Sequence, residues 1–129
     1  MTPELHTLVY SLILGLAHLL AYATVIRQQN GATWTAGPRD EPRPPKVLAA
    51  RLLRAQINFM ETWPFFAVAV LLLHVLGKSS AWSLLGCQIY FWCRVAYLPL
   101  YAFGVPWVRS IVWAASFAGL LLVVGALLA

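Results

Sequence analysis

Acidic residues are scarce in this chain of 129 residues. There are four, against nine lysines and arginines, and none follows position 61. Charged residues of both signs make up only 10% of the chain and hydrophobic residues 61%, with a mean hydropathy of +0.76. A soluble domain of this length rarely has so apolar a composition. The sequence therefore predicts a membrane protein.

Cysteine and histidine are also too few, and too widely spaced, to indicate a disulfide, a metal site or a redox motif. The two cysteines, Cys87 and Cys93, are six residues apart, which turns their side chains roughly 120° away from each other on a helix. They match no disulfide, metal or redox spacing, so we interpret them as small apolar side chains. His18 lies in an apolar segment, where a packed hydrogen-bonding role is favoured over a ligand or proton relay. We predict no metal site.

The basic residues are concentrated between positions 27 and 54, which hold six of the nine. A local basic cluster beside a hydrophobic segment is first a topology signal, and only then an anion site or a contact with anionic lipid. Nucleic acid binding is therefore not expected. The positive-inside rule predicts that the loop over 27–46 lies in the cytoplasm, together with the third loop, and that both termini lie outside.

Hydrophobic segments predict an all-α chain, a four-helix transmembrane bundle in one domain over 1–129. The first segment is long enough to cross a hydrocarbon core of about 30 Å. A cleavable signal peptide is the alternative for that segment, but the start MTPELH lacks the basic residues of such a peptide. In a bacterium this would be an inner-membrane protein. The predicted helices cover residues 5–26, 47–76, 81–103 and 106–128.

Polar residues line one face of the second predicted helix, at Arg51, Arg54, Asn58 and Glu61, with spacings of three, four and three. The third helix repeats the pattern at Tyr90, Arg94, Tyr97 and Tyr101, and the fourth begins with Arg109 and Ser110. Counting about 20 residues back from the end of the second helix places this stripe in the cytoplasmic half of the membrane. The polar groups of three helices are therefore expected to converge there.

Two interpretations of the stripe remain open. In the structural one, Glu61 and Arg94 form a buried ion pair and the other arginines reach lipid phosphates. The pair leaves three arginines, at positions 51, 54 and 109, without an acidic partner inside the membrane. Under the second interpretation, this surplus of positive charge binds an anionic ligand.

The run Arg54-Ala55-Gln56-Ile57-Asn58-Phe59-Met60-Glu61, followed by Pro64 and Phe65, resembles the RAxxNxxExxPxF signature of the MAPEG family, the membrane-associated proteins of eicosanoid and glutathione metabolism. A second block is similar as well, from Arg94-Val95-Ala96-Tyr97 through Tyr101 to Arg109-Ser110. The resemblance covers essentially the whole chain and is closest to small bacterial members. It implies a homotrimer in the lipid bilayer, with a glutathione site between subunits that opens to the cytoplasm.

The resemblance also implies roles for individual residues. Arg109 would stabilise the glutathione thiolate, and Tyr101 is the other catalytic candidate. The residues implied in holding glutathione are Arg27, Arg54, Gln56, Asn58, Glu61, Arg94, Tyr97, Tyr101 and Ser110. Thr62 and Trp113 stand where some relatives have tyrosines. On the sulfur side of the implied site, the chain therefore departs from those relatives.

The sequence thus supports two hypotheses about function. The first is a glutathione-dependent transferase or peroxidase that uses glutathione as co-substrate and acts on a lipophilic electrophile arriving through the bilayer. The alternative is a membrane protein without turnover that binds glutathione, a small anion or an anionic lipid in the same pocket. Turnover of a generic electrophile distinguishes the two.

Overall fold

A computed structural model describes all 129 residues as a helical chain without strands. Four of the helices are long, and a fifth forms a single short segment in the first loop. Their bounds are α1 Pro3–Asn30, α2 Ala32–Ala36, α3 Val47–Val75, α4 Ala81–Ala102 and α5 Pro106–Leu128.

The end of α1 differs from the sequence prediction. The helix continues through Arg27 to Asn30 and stops at Gly31, whose φ of 84° is a conformation that favours glycine. The prediction that a loop begins at Arg27 is therefore wrong for four residues, because nothing before Gly31 interrupts the helix. The prediction also missed α2, which follows Gly31 directly.

The remainder of the first loop folds back onto the end of α1. Gln29 accepts a hydrogen bond from the backbone N–H of Lys46 at 2.7 Å and donates to the carbonyl of Pro44 at 3.1 Å. Asn30 donates to the carbonyl of Arg43 at 3.2 Å. These side chains tie the start of α3 to the end of α1 and so fix the register between the two helices.

The helices α4 and α5 approach each other closely at two glycines. A Cβ atom placed on Gly86 would lie 2.7 Å from the carbonyl oxygen of Gly119, and one on Gly119 would lie 2.7 Å from the backbone nitrogen of Tyr90. Small residues let helix backbones approach closely in a membrane. This contact sets the position of α5, and with it that of Arg109.

The apolar core occupies the half of the bundle that holds the end of α3 and the start of α4. Phe66 and Tyr90 stack there with ring centroids 4.1 Å apart. The Tyr90 hydroxyl also shares a hydrogen bond of 3.0 Å with Thr62. The core cluster draws nine buried residues from the four long helices, so it joins α1, α3, α4 and α5.

Three helices, α1, α3 and α5, are long and apolar enough to cross a membrane by length and composition. The fourth long helix, α4, is not among them. It carries Gln88, Arg94 and several aromatic residues within its 22 residues, and these lower its hydropathy. An integral membrane protein follows from the three apolar helices, whereas a fourth crossing stays a prediction.

Candidate functional site

Two adjoining clefts lie where the start of α3, the end of α4 and the start of α5 meet. The first, here called the polar cleft, has a volume of about 230 Å³. The second, here called the indole cleft, has a volume of about 210 Å³. Asn58, Tyr97 and Arg109 line both. The polar cleft is completed by Arg54, Ile57, Glu61 and Tyr101, and the indole cleft by Ser110 and Trp113.

Tyr101 lies between two arginines that belong to different helices. Arg54, from α3, donates its Nε–H to the Tyr101 hydroxyl at 3.2 Å. Arg109, from α5, places its guanidinium carbon 4.4 Å from the centroid of the same ring, within the range of a cation–π contact. The predicted convergence of three polar helices is therefore present. The one ion pair in the chain joins Arg43 and Glu41, so neither cleft arginine has an acidic partner.

Arg94 is buried beneath the clefts rather than exposed in them. Its Nη1 donates to Asn58 Oδ1 at 2.9 Å, and its guanidinium carbon lies 4.5 Å from the centroid of the Tyr97 ring. The predicted ion pair with Glu61 is wrong for this chain, because Glu61 is exposed and forms no salt bridge. Asn58 and the rings of Phe59 and Tyr97 occupy the space around the guanidinium.

The contact with Arg94 determines how the Asn58 amide is oriented. A guanidinium can only donate hydrogen bonds, so the amide group nearest to it is the oxygen. The Nδ2 group of Asn58 is then left to donate to a molecule in the clefts that Asn58 lines. Two further nitrogens of Arg94, Nε and Nη2, are buried without partners, so Asn58 is the only hydrogen-bonding side chain that Arg94 has.

Two of the predicted site residues lie away from these clefts. Arg27 borders a separate cleft of about 420 Å³ at the end of α1. Gln56 borders an apolar groove of about 470 Å³ between α1 and α3, and its Oε1 is buried without a partner. Within one chain, the other predicted residues line the two clefts or, like Arg94, contact a lining residue. Arg27 and Gln56 do neither.

Arg51, which the sequence suggests as part of the unpaired positive charge, has a structural contact instead. Its Nη1 donates to the carbonyl of Ala102 at 3.4 Å, at the end of α4. The guanidinium also lies against Gly104, where a Cβ atom would approach its central carbon to 2.7 Å. Arg51 therefore packs on the turn that connects α4 to α5, and it lines neither cleft.

Trp113 lines a cleft although the predicted set of binding and catalytic residues does not include it; the sequence connected its position only with the sulfur side of the site. It lies one helical turn beyond Arg109, and this spacing was the available signal. Its ring borders the indole cleft, and its Nε1 is buried without an acceptor. Thr62 is the other position at which some relatives have a tyrosine. It faces the core and shares a hydrogen bond with Tyr90 rather than lining a cleft.

Comparison with known proteins decides the family. A model of the MAPEG family matches residues 7–129. The chain belongs to the MAPEG family. No curated protein and no solved structure matches it. In this MAPEG protein the two sequence blocks that carry the resemblance lie on neighbouring helices, and together they supply the whole lining of the polar cleft.

Proposed function

We propose that this MAPEG protein is an integral membrane enzyme that uses glutathione as co-substrate, as a transferase or peroxidase for lipophilic electrophiles. One observation carries the proposal: two arginines without acidic partners and one exposed carboxylate line the same small cleft. Glutathione carries two carboxylates, one ammonium group and a thiol that becomes anionic when it is deprotonated. The charges of Arg54, Arg109 and Glu61 are therefore complementary to those of the ligand.

In this proposal each cleft residue has a distinct task. Arg54 binds a glutathione carboxylate and Glu61 the ammonium group, both as charge-assisted hydrogen bonds. Asn58 donates through Nδ2, and Tyr97, Tyr101 and Ser110 contribute hydroxyl groups. Arg94 is a positioning residue, since it contacts Asn58 and lines neither cleft.

The chemistry in this proposal depends on Arg109. A guanidinium beside a thiol favours the deprotonated form, which is the nucleophile. The thiolate attacks the electrophilic atom and a bond from sulfur forms, while a leaving group departs with its electron pair or the electrons of an attacked double bond shift away. The packing of Arg109 on the Tyr101 ring supports this role, because it holds the guanidinium at the boundary shared by the two clefts.

The proposal includes a homotrimer with both termini outside and the clefts open to the cytoplasm. Arg27 and Gln56, which the resemblance implies in the site, lie away from the clefts of their own chain. A neighbouring subunit that brings these two side chains to the cleft would complete the glutathione site.

A binding role without turnover is the second candidate. Arg54 is exposed beside Ile57, a large apolar residue that is 50% exposed. An exposed arginine next to exposed apolar surface is also suited to the phosphate of an anionic lipid. Turnover of a generic electrophile by the purified protein separates this candidate from the enzyme.

The direct test is calorimetric titration of detergent-solubilised protein with glutathione. Arg54→Ala is expected to weaken binding by about 1.5 to 3 kcal/mol, the usual value for a hydrogen bond to a charged group. Arg39→Ala removes the same charge from the exposed first loop, where Arg39 bonds only to the Thr35 carbonyl, and should leave binding unchanged. Absence of glutathione binding at millimolar concentration would contradict the enzyme and favour the lipid or anion site.

A further inference from the structure

A groove of about 780 Å³ lies at the opposite end of α4 and α5 from the polar and indole clefts. It runs between the start of α4 and the end of α5, and it is here called the terminal groove. Its volume falls within the range of roughly 300 to 1,000 Å³ that is usual for sites that bind small molecules. The residues that decide its character are Lys78, Ser79, Trp82, Ala118, Leu121 and Gly125.

The terminal groove is open because α4 and α5 diverge beyond their glycine contact. At Gly86 and Gly119, an added Cβ atom would meet backbone atoms of the other helix at 2.7 Å. Further along α5, an added Cβ atom at Gly125 would meet nothing within 4 Å. Trp82 lines the groove from α4, and its side chain is exposed. The space between the two helices is therefore accessible from the surface of the bundle.

Lys78 places a positive charge at one end of the terminal groove. It is the only charged side chain in the lining, and it forms no ion pair. Its Nζ donates to the carbonyl of Leu127 at 2.7 Å, which holds the ammonium group against the end of α5. An ammonium group has three N–H donors, so two remain for another molecule. The groove thus combines one cationic end with an apolar remainder, which is complementary to an anionic head group and an apolar tail.

The length of the terminal groove corresponds to one leaflet of a bilayer. Along α5 the lining extends from Ala118 to the level of Leu127, which is roughly 14 Å at about 1.5 Å per residue. The hydrocarbon core of a bilayer is about 30 Å thick, and α5 is long and apolar enough to cross it. A small water-soluble anion would leave most of the apolar lining uncovered, whereas an acyl chain would cover it.

We propose that the terminal groove binds one phospholipid in the leaflet opposite to the polar cleft, with the lipid phosphate on Lys78 and an acyl chain along α5. The exposed ring of Trp82 lies near the head-group level in this arrangement, where tryptophan is enriched in membrane proteins. This inference does not depend on the proposed glutathione chemistry, because the two sites share no residue.

Native mass spectrometry of the detergent-solubilised protein, titrated with phosphatidylglycerol, measures its affinity for the lipid. Lys78→Gln is expected to weaken binding of the most tightly held lipid about tenfold, as for the loss of one hydrogen bond between charged groups. Diacylglycerol with the same acyl chains has no phosphate, so its weaker binding should be the same in both proteins. Lys46→Gln is the matched control, because it removes the same charge just before α3, away from the groove.

Gly125→Leu tests the acyl-chain contact separately. The new side chain would occupy the terminal groove, and the open space around position 125 lets the bundle keep its fold. Binding of both phosphatidylglycerol and diacylglycerol in the groove should therefore be lost. Thermal unfolding and glutathione titration of this variant are expected to match those of the unmodified protein.

Contrary results have distinct meanings. An unchanged lipid affinity in Lys78→Gln would show that the ammonium group contacts no phosphate, and an unchanged affinity in Gly125→Leu would show that the lipid lies elsewhere. Displacement of phosphatidylglycerol by inorganic phosphate alone would assign the groove to a free anion. An altered oligomeric state of Gly125→Leu with unchanged lipid binding would assign it to a neighbouring subunit. Each of these results overturns the lipid site and leaves the proposed glutathione site untouched.

Discussion

Asn58 lies between a buried charge and the polar cleft. Arg94 is wholly buried, and its hydrogen bond to Asn58 Oδ1 is the only one it makes to a side chain. Burying a guanidinium is costly unless it is hydrogen-bonded, so Asn58 supports the bundle as well as the site. If the polar cleft binds glutathione as proposed, Asn58 links stability to ligand binding, and substitutions at this position can separate the two effects.

Asn58→Asp is expected to keep the fold and lose the ligand. The new carboxylate gives Arg94 an anionic partner, while it removes the Nδ2 donor and adds negative charge to the cleft. Glutathione affinity should fall by at least about 1.5 kcal/mol, with thermal unfolding at or above the original temperature. Asn58→Ala should instead lower stability by roughly 3 kcal/mol, because it leaves the buried guanidinium without a hydrogen-bonding side chain. Undiminished glutathione binding by Asn58→Asp would refute the assigned amide orientation.

Arg109 is expected to affect the ligand's chemistry more than its affinity. In Arg109→Ala, glutathione should remain bound through Arg54 and Asn58, while the pKa of the bound thiol rises by about one pH unit or more because a neighbouring cation is lost. Thiolate absorbance across pH, measured beside calorimetry, reports both quantities. A bound thiol with the same pKa in both proteins would leave a binding protein without the proposed chemistry.

The turn between α4 and α5 determines where Arg109 lies relative to Tyr101. Gly104 in this turn has a φ of 72°, and the Arg51 guanidinium packs directly against it. Arg51 comes from α3, so three helices meet at this point. The positive φ disfavours any other residue there, and a side chain at position 104 would also have to displace the Arg51 guanidinium.

Gly104→Ala should therefore cost more than backbone strain alone. Gly77 provides the control, because its φ is also positive, at 63°, yet nothing lies within 4 Å of its missing side chain. Gly77→Ala should lower stability by about 1 kcal/mol, whereas Gly104→Ala should lower it further, because the Arg51 guanidinium must leave its hydrogen bond to the Ala102 carbonyl, and should also weaken glutathione binding by displacing Arg109. Thermal unfolding and calorimetry measure the two effects. Equal behaviour of the two variants would show that the packing of Arg51 on the turn does not matter.

At the scale of the whole molecule, helical spacing in the sequence was enough to indicate the common face of Arg54, Asn58 and Glu61. Spacing along one helix does not determine which neighbour fills the space opposite, and so the predicted pairing of Glu61 with Arg94 was wrong. The end of α1 was misjudged because the polar residues after Ile26 suggested a loop, although they are compatible with a helix. Arg27 and Gln56 show a further limit, since they lie away from the polar cleft of their own chain and only the proposed trimer would bring them to it.

The claim that depends on all of these features is that the polar cleft binds glutathione, and a structure of the complex in lipid tests it most directly. The account predicts glutathione density in that cleft, with a carboxylate within hydrogen-bond distance of Arg54 and the sulfur beside Arg109. Density for glutathione elsewhere, or for a lipid phosphate in the cleft at saturating glutathione, would contradict it.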